Sequence, residues 1–208
     1  MVHNDSQSAE AIDEMLDIVD ASYHTIGTKR REDVHRDGDL HYVIHCWVII
    51  PSTQEMILQK RAPKKNYGGG LYDVSCAGHY SAGEEMTSTR ELYEEMGIRV
   101  SYDVLTQLFE FEDHFEYGIY HDNEIARVHV LKWDTAYIQT NVSHEVSGFA
   151  RCQLADFLGL IHGDLQKIRI INEPGEAQYI EYKDFAKRDL LYYTKLYEAL
   201  RDDLQKES

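Results

Sequence analysis

Residues 90–97 read RELYEEMG, and the carboxylates in that run have the type and spacing to hold a hard cation. On a helix, Glu91 lies three residues before Glu94 and four before Glu95. Those offsets bring the side chains to one face, with Cβ atoms about 5–6 Å apart. Like charges so placed repel, on the order of a few tenths of a kcal/mol per pair. A divalent ion reverses that sign, because Mg²⁺ or Mn²⁺ seeks a compact set of oxygen ligands. The same residues also suit a solvated helix end, and Ser88-Thr89-Arg90-Glu91 has the pattern of a helix-start capping box. Leu92 points toward the core, and Gly97 stands where a left-handed residue would close the helix.

Other elements must present that helix. Leu16–Val19 reads as a short strand, and His41–Ile50 (HYVIHCWVII), rich in β-branched and aromatic residues, as a buried one. Pro51–Gln54 is a turn, and Met56–Arg61 completes a hairpin. Residues 63–70 (PKKNYGGG) form a basic, glycine-rich loop, and Tyr72–Cys76 begins a strand leading to Gly78. Ile98–Tyr102, Leu105–Phe115 and Glu124–Trp133 read as strands, with a hairpin tip within His114–Asn123. Gly148–Cys152 is a further strand and Leu154–Ile161 a short helix. Leu190, Tyr193, Tyr197, Leu200 and Leu204 recur at steps of three and four, which predicts an amphipathic helix over 184–205 with that stripe on the core. Strands and helices that do not alternate strictly indicate α+β, a mixed sheet covered by helices.

Charge and cysteine content narrow the partners. Twenty-one basic against 37 acidic residues leave a net charge of −16, which disfavours nucleic acid and anionic membrane. Cys46, Cys76 and Cys152 are odd in number and widely spaced, against a disulfide framework or a zinc site and in keeping with a reducing compartment. The N-terminus lacks a basic start followed by an apolar run, and no apolar stretch is long enough to span a bilayer. A cytoplasmic protein is expected, with a polar, frayed segment at residues 1–8.

The order Gly78, Glu84, Arg90-Glu91-Leu92-Tyr93-Glu94-Glu95-Met96-Gly97-Ile98 resembles the Nudix hydrolase signature, G-x5-E-x7-R-E-U-x-E-E-x-G-U with U a bulky aliphatic residue. Gly78 to Glu84 reproduces the first spacing, and every specified position from Arg90 to Ile98 matches. The departure lies between them: Glu85 to Thr89 supply five residues where the signature has seven. Two missing helical residues amount to about 3 Å of rise and more than half a turn. In the family that first glutamate braces the arginine. Here the shortening separates Glu84 from Arg90 and lets the helix start late, near Ser88, without altering the spacing of the carboxylates.

Residues 31–84, with HRDGDLH, QKR and AGHYSAGE, resemble the Nudix branch similar to isopentenyl-diphosphate isomerase, and Glu145-Val146 resembles a glutamate-valine pair of that branch. The resemblance covers residues 31 to about 160. It implies a Nudix-type α/β/α sandwich with a mixed β-sheet, in which 1–30 form an N-terminal extension and 31–208 the Nudix domain with its C-terminal helix. It implies Mg²⁺ (or Mn²⁺) held by Glu91, Glu94 and Glu95, with Glu95 or Glu145 as general base. Arg61, Lys60 and Lys64, with Lys65, would face substrate phosphates, although they equally suit a solvated strand end. His79 would line the pocket; Gly78, Glu84, Arg90 and Gly97 would be structural.

The implied reaction is cleavage of a diphosphate linkage in a small substrate such as a nucleoside diphosphate derivative, and a homodimer would be unsurprising by analogy with the family. Isomerase-like activity and a non-catalytic binding module are the alternatives. In the isomerase a cysteine immediately precedes a Gly-His pair. Here Ala77 precedes Gly78-His79 and Cys76 stands one place early, on the opposite face of a strand. His35, His41 and His79 fall near the isomerase's metal-binding histidines, which raises a second, histidine-rich metal site; His35 and His41 equally suit a polar turn.

Overall fold

A computed structural model describes residues 14–65, 67–118, 120–134, 145–173 and 175–204. The frayed segment expected at 1–8 lies outside them. Among the described residues are eleven strands and four α-helices, so the α+β expectation holds. They fall into two compact units, one of Met1–Ile44, Gly78–Ser88 and Glu110–Arg127, the other of His45–Ala77, Thr89–Phe109 and Val128–Ser208.

In the first unit β1 (Met15–Val19) and β2 (Thr25–Arg30) form an antiparallel hairpin. Asp20 makes its turn: Oδ1 accepts from the Ser22 and His24 amides at 2.8 and 3.0 Å. Helix α1 (Arg31–Asp37) follows, with Glu32 and Asp33 in its first turn, His35 and Arg36 in its last, and Gly38 closing it at φ 70°. Val34 anchors it against Leu16 and Ile18. Sequence reading missed β2 and α1 and placed His35 in a turn, because a seven-residue helix with one buried apolar side chain leaves no period to read. Strand β3 (His41–Ile50) begins here, Ile18 of β1 facing His41.

In the second unit β3 turns through Pro51–Thr53 and a left-handed Gln54 into β4 (Glu55–Arg61), the expected hairpin. β4 pairs along its length with β9 (Val146–Gln153). β10 (Lys167–Asn172) adds to β9, and β11 (Ala177–Glu181) to β10; neither was anticipated, although KIRII alternates. Helices α3 (Leu154–His162) and α4 (Leu190–Leu200) cover this sheet. Trp47 is fully buried, 5.1 Å from Phe157 by ring centroids, and donates to the Tyr192 hydroxyl at 3.1 Å.

Four boundaries differ from expectation. The C-terminal helix starts at Leu190, capped by Asp189, and tightens to a 3₁₀ turn at Arg201–Leu204. Its buried stripe is Tyr192, Tyr193, Leu196 and Leu200, whereas Leu190 in the first turn is 69% exposed; the Leu204 side chain lies outside the described residues. Tyr72–Cys76 divides into β5 (Tyr72–Asp73) and β6 (Cys76–His79), because Asp73 bonds the Val74 amide and Ser75 bonds Ile57 O and the Val48 amide through side chains. Ile98–Tyr102 is no strand, since the Ile98 amide turns back to Leu92 O at 3.1 Å and a 3₁₀ turn occupies Tyr102–Val104. Strands β7 (Thr106–Tyr117) and β8 (Tyr120–Lys132) continue through the expected tip, with Gly118 (φ 63°) between them; residue 119 lies outside the described residues.

Candidate active site and metal centre

Helix α2 (Arg90–Met96) carries the acidic run. It starts at Arg90, and Thr89 caps nothing: its hydroxyl donates to Val100 O at 2.7 Å. Gly97, at φ 68°, ends the helix as expected. Leu92 and Met96 are fully buried, and packing them turns Glu95 inward to 6% exposure. Its Oε2 accepts from Gln59 Nε2 at 2.9 Å and from the Ala77 amide at 3.2 Å. Burial pushes its pKa up to about 7, with Glu145 adding to the rise; Lys65 opposes it most strongly, followed by the Cys76 thiol hydrogen bond.

The other carboxylates diverge. Arg90 meets Glu91 at 3.0 Å and Glu94 at 2.8 Å, and the Glu94 side chain is half exposed. Among the described residues, the sets of metal-ligating atoms lying within 4.8 Å of one another do not include Glu91, Glu94 and Glu95. Their oxygen-only donor set, one member buried where its charged form is disfavoured, nevertheless suits a hard divalent ion.

The remaining expected residues disperse. Glu84 precedes α2 and accepts from the Ser81 amide at 2.7 Å and from the Ser88 hydroxyl. Arg61 is committed to Asp73 at 2.7 Å, Lys60 lies 4.0 Å over the Tyr72 ring, and Lys64 is exposed. Lys65 pairs with Glu145 at 3.0 Å.

A second constellation lies in the first unit. His35 on α1, His41 at the start of β3 and His79 at the end of β6 have ring centroids 5.1–5.2 Å apart. His41 Nδ1 donates to Asp39 O at 2.9 Å, so Nε2 carries the lone pair. That nitrogen is buried and makes no hydrogen bond, while Asp122 Oδ1 stands 3.8 Å away. His35 Nε2 is 3.6 Å from the same oxygen and 3.2 Å from His79 Nε2. Ligand atoms of His35, His41 and His79 lie within 4.8 Å of one another, as do those of His41, Asp122 and Glu124. Burial lowers the pKa of His41 and keeps it neutral, the ligating form.

Local structure explains the convergence. Gly38 turns the chain from α1 into β3, and a Cβ there would meet His121 Cβ at 3.0 Å. Asn123 donates to Gly38 O at 2.6 Å, tying β8 to the helix end, while Asp122 and Glu124, two apart on β8, share a face. Sequence reading missed both acids; their i, i+2 spacing beside a histidine-rich turn was the available signal. His79, expected as a pocket residue, belongs to this cluster.

Residues 39–172 match the NUDIX domain family. The chain is 32% identical over 204 residues to an uncharacterized Nudix hydrolase of Clostridium acetobutylicum, covering 92% of this chain and 98% of that protein. It is 37% identical over 94 residues to an isopentenyl-diphosphate Delta-isomerase of Pectobacterium atrosepticum, covering 44% of this chain and 50% of the isomerase. A MutT/nudix family protein of solved structure from Enterococcus faecalis superposes with a TM-score of 0.50 at 14% identity, covering 79% of this chain and 62% of that one. The chain therefore belongs to the Nudix hydrolase family and has the Nudix fold, with relatives in the branch that includes the isomerases.

Proposed function

We propose that the protein is a Mg²⁺- or Mn²⁺-dependent hydrolase that cleaves a diphosphate linkage in a small substrate such as a nucleoside diphosphate derivative. The observation that carries this reading is Glu95, buried on the Nudix helix with the charge of Glu145 near enough to raise its pKa further. Glu91, Glu94 and Glu95 would hold the ion. When bound, it supplies neutralisation of the diphosphate and a lowered pKa for the attacking water.

The protein's own residues orient the rest. Gln59 and the Ala77 amide fix Oε2 of Glu95 in advance, and Arg90 relieves repulsion between Glu91 and Glu94. Either Glu95 or Glu145 accepts the water's proton; the one whose Gln variant keeps metal affinity but loses turnover is the base. The net charge of −16 supports a small metal-paired ligand over a nucleic acid.

Proton shuttling on an isoprenoid skeleton is the second reading. The histidine cluster favours it, because it falls where the resemblance puts the isomerase's metal-binding histidines. Against it, Ala77 holds the position before Gly78-His79, and Cys76 is fully buried.

A panel of diphosphates incubated with Mg²⁺ or Mn²⁺ tests the assignment through released phosphate or monophosphate. Glu95→Gln should lower turnover by about a hundredfold or more at unchanged Tm. Interconversion of isopentenyl and dimethylallyl diphosphate without phosphate release would replace the hydrolase reading with the isomerase one, and tight binding without turnover would leave a binding module.

A further inference from the structure

Of the basic run at 60–65, Lys65 is the side chain that meets a carboxylate of the proposed site: its Nζ lies 3.0 Å from Glu145 Oε2. Both side chains are largely enclosed, 19% and 25% exposed. The loop delivering this lysine is braced. The Lys65 amide bonds Ala62 O at 3.0 Å, and the Ala62 amide bonds Glu145 O at 2.9 Å. Gly69 packs so closely that a Cβ would lie 2.6 Å from Pro63 O and 3.0 Å from Lys65 O.

The brace extends to the C-terminal segment. Arg61 Nε and Nη2 donate to Tyr67 O at 3.2 and 3.1 Å, and Tyr67 Oη donates to Lys187 O at 2.7 Å. Asp73 holds Arg61 at 2.7 Å and is itself gripped by Arg188 at 2.9 Å. Arg61 is thus part of the scaffold, and Lys65 is the charge the scaffold presents.

That charge is committed to a carboxylate: Lys65 pairs directly with Glu145 at 3.0 Å. A lysine ammonium and a divalent ion repel each other, so an ion on the α2 carboxylates would weaken the hold of Glu145 on Lys65. We infer that Lys65 is an exchangeable counter-cation of the carboxylate site, neutralising Glu145 until metal arrives and then passing to a phosphate oxygen of the substrate. This rests on the hydrolase reading above.

An exchangeable cation makes one substitution act with opposite signs on two ligands. Mn²⁺ binding is measured by electron paramagnetic resonance on the full chain, and the class of ions lost in Glu95→Gln defines the carboxylate site. In Lys65→Met that class should tighten about fivefold or more, because a competing charge is gone. Affinity of the Mn²⁺-loaded protein for methylenediphosphonate, a non-hydrolysable diphosphate, should fall by about tenfold or more. Lys65→Arg should restore both values toward wild type. A lysine that merely props the loop would weaken Mn²⁺ binding on removal, and unchanged or weaker Mn²⁺ affinity in Lys65→Met overturns the inference while leaving the hydrolase reading intact. If Glu95→Gln removes no Mn²⁺ class, the carboxylate site and the role of Lys65 fall together.

Discussion

The histidine cluster of the first unit and the carboxylate helix of the second both concentrate side chains able to ligate a metal, and they differ in what makes the crowding tolerable. His35, His41 and His79 bring together imidazoles, which ligate as neutral donors and in that form can converge at little electrostatic cost. Around α2 the candidate groups are carboxylates, and each has a cation or donor at its side, Arg90 for Glu91 and Glu94 and Gln59 for Glu95, with Lys65 on the nearby Glu145. Neutral donors can be organised ahead of the ion. Anionic donors need placeholders, and binding has to displace them. The first site should therefore respond to loss of a ligand chiefly in affinity, the second in the balance between metal and internal cations.

The comparison breaks first at His41. Its Nε2 is buried with no hydrogen bond, a costly arrangement unless a ligand uses the lone pair. His41→Ala should lower Mn²⁺ or Zn²⁺ affinity of the first-unit site by about 10–100-fold, a loss typical of damaged metal shells. It should also abolish the part of the metal-induced rise in Tm due to that site, since an ion binding only the folded state stabilises it by mass action. Unchanged metal stoichiometry, measured by equilibrium dialysis in wild type and variant, would reduce the cluster to a packed group of histidines.

His45 sharpens the contrast because it is a buried histidine of the second unit with a different role. Its Nδ1 meets the Tyr192 hydroxyl at 3.2 Å. Complete burial depresses its pKa well below 6.5, with Arg188 and Arg61 adding to the fall and Asp73 opposing it. The folded protein thus resists a proton that the unfolded chain accepts below pH 6.5. The stabilisation is fully present above that value and is lost as pH falls toward the depressed pKa, at about 1.4 kcal/mol per pH unit for one group. His45→Gln should flatten this segment of a urea-derived stability profile by about one proton. Added metal should leave the contribution of His45 untouched. A profile equally steep in His45→Gln would assign the acid sensitivity elsewhere.

These two histidines also show how far sequence reaches. Three glutamates on one helical face follow from spacing alone, and α2 with its Gly97 cap lies where that spacing puts it. Side-chain direction does not follow, because it depends on Leu92 and Met96 being buried, which turns Glu95 in while Glu94 stays half exposed. The histidine cluster was half legible. His35, His41 and His79 stood out by type, but Asp122 and Glu124 join them through strand pairing some eighty residues away, and α1 is too short to announce itself. Likewise a run of lysines and an arginine at 60–65 reads as one basic patch, whereas the fold gives Arg61 to Asp73, Lys60 to Tyr72 and Lys65 to Glu145.

The smallest expected effect belongs to Cys76, which touches the same Glu95 from the core side. Its thiol is fully buried and has its pKa pushed well above the ordinary value by desolvation and then by Glu95 and Glu91. A proton shuttle needs a thiol that ionises within reach of substrate, and this environment opposes ionisation. A serine hydroxyl keeps a small donor of similar shape in the same place, so Cys76→Ser should keep kcat within about twofold while costing about 1 kcal/mol for burying a more polar group. For a chain of this length that is a Tm decrease of about 2–4 °C. Cys76→Ala removes the donor as well and should alter the behaviour of Glu95 more than Ser does, a difference visible in Mn²⁺ affinity. Complete loss of activity in the serine variant, with Tm otherwise preserved, would make the thiol itself the reagent and move the chemistry from phosphorus to carbon.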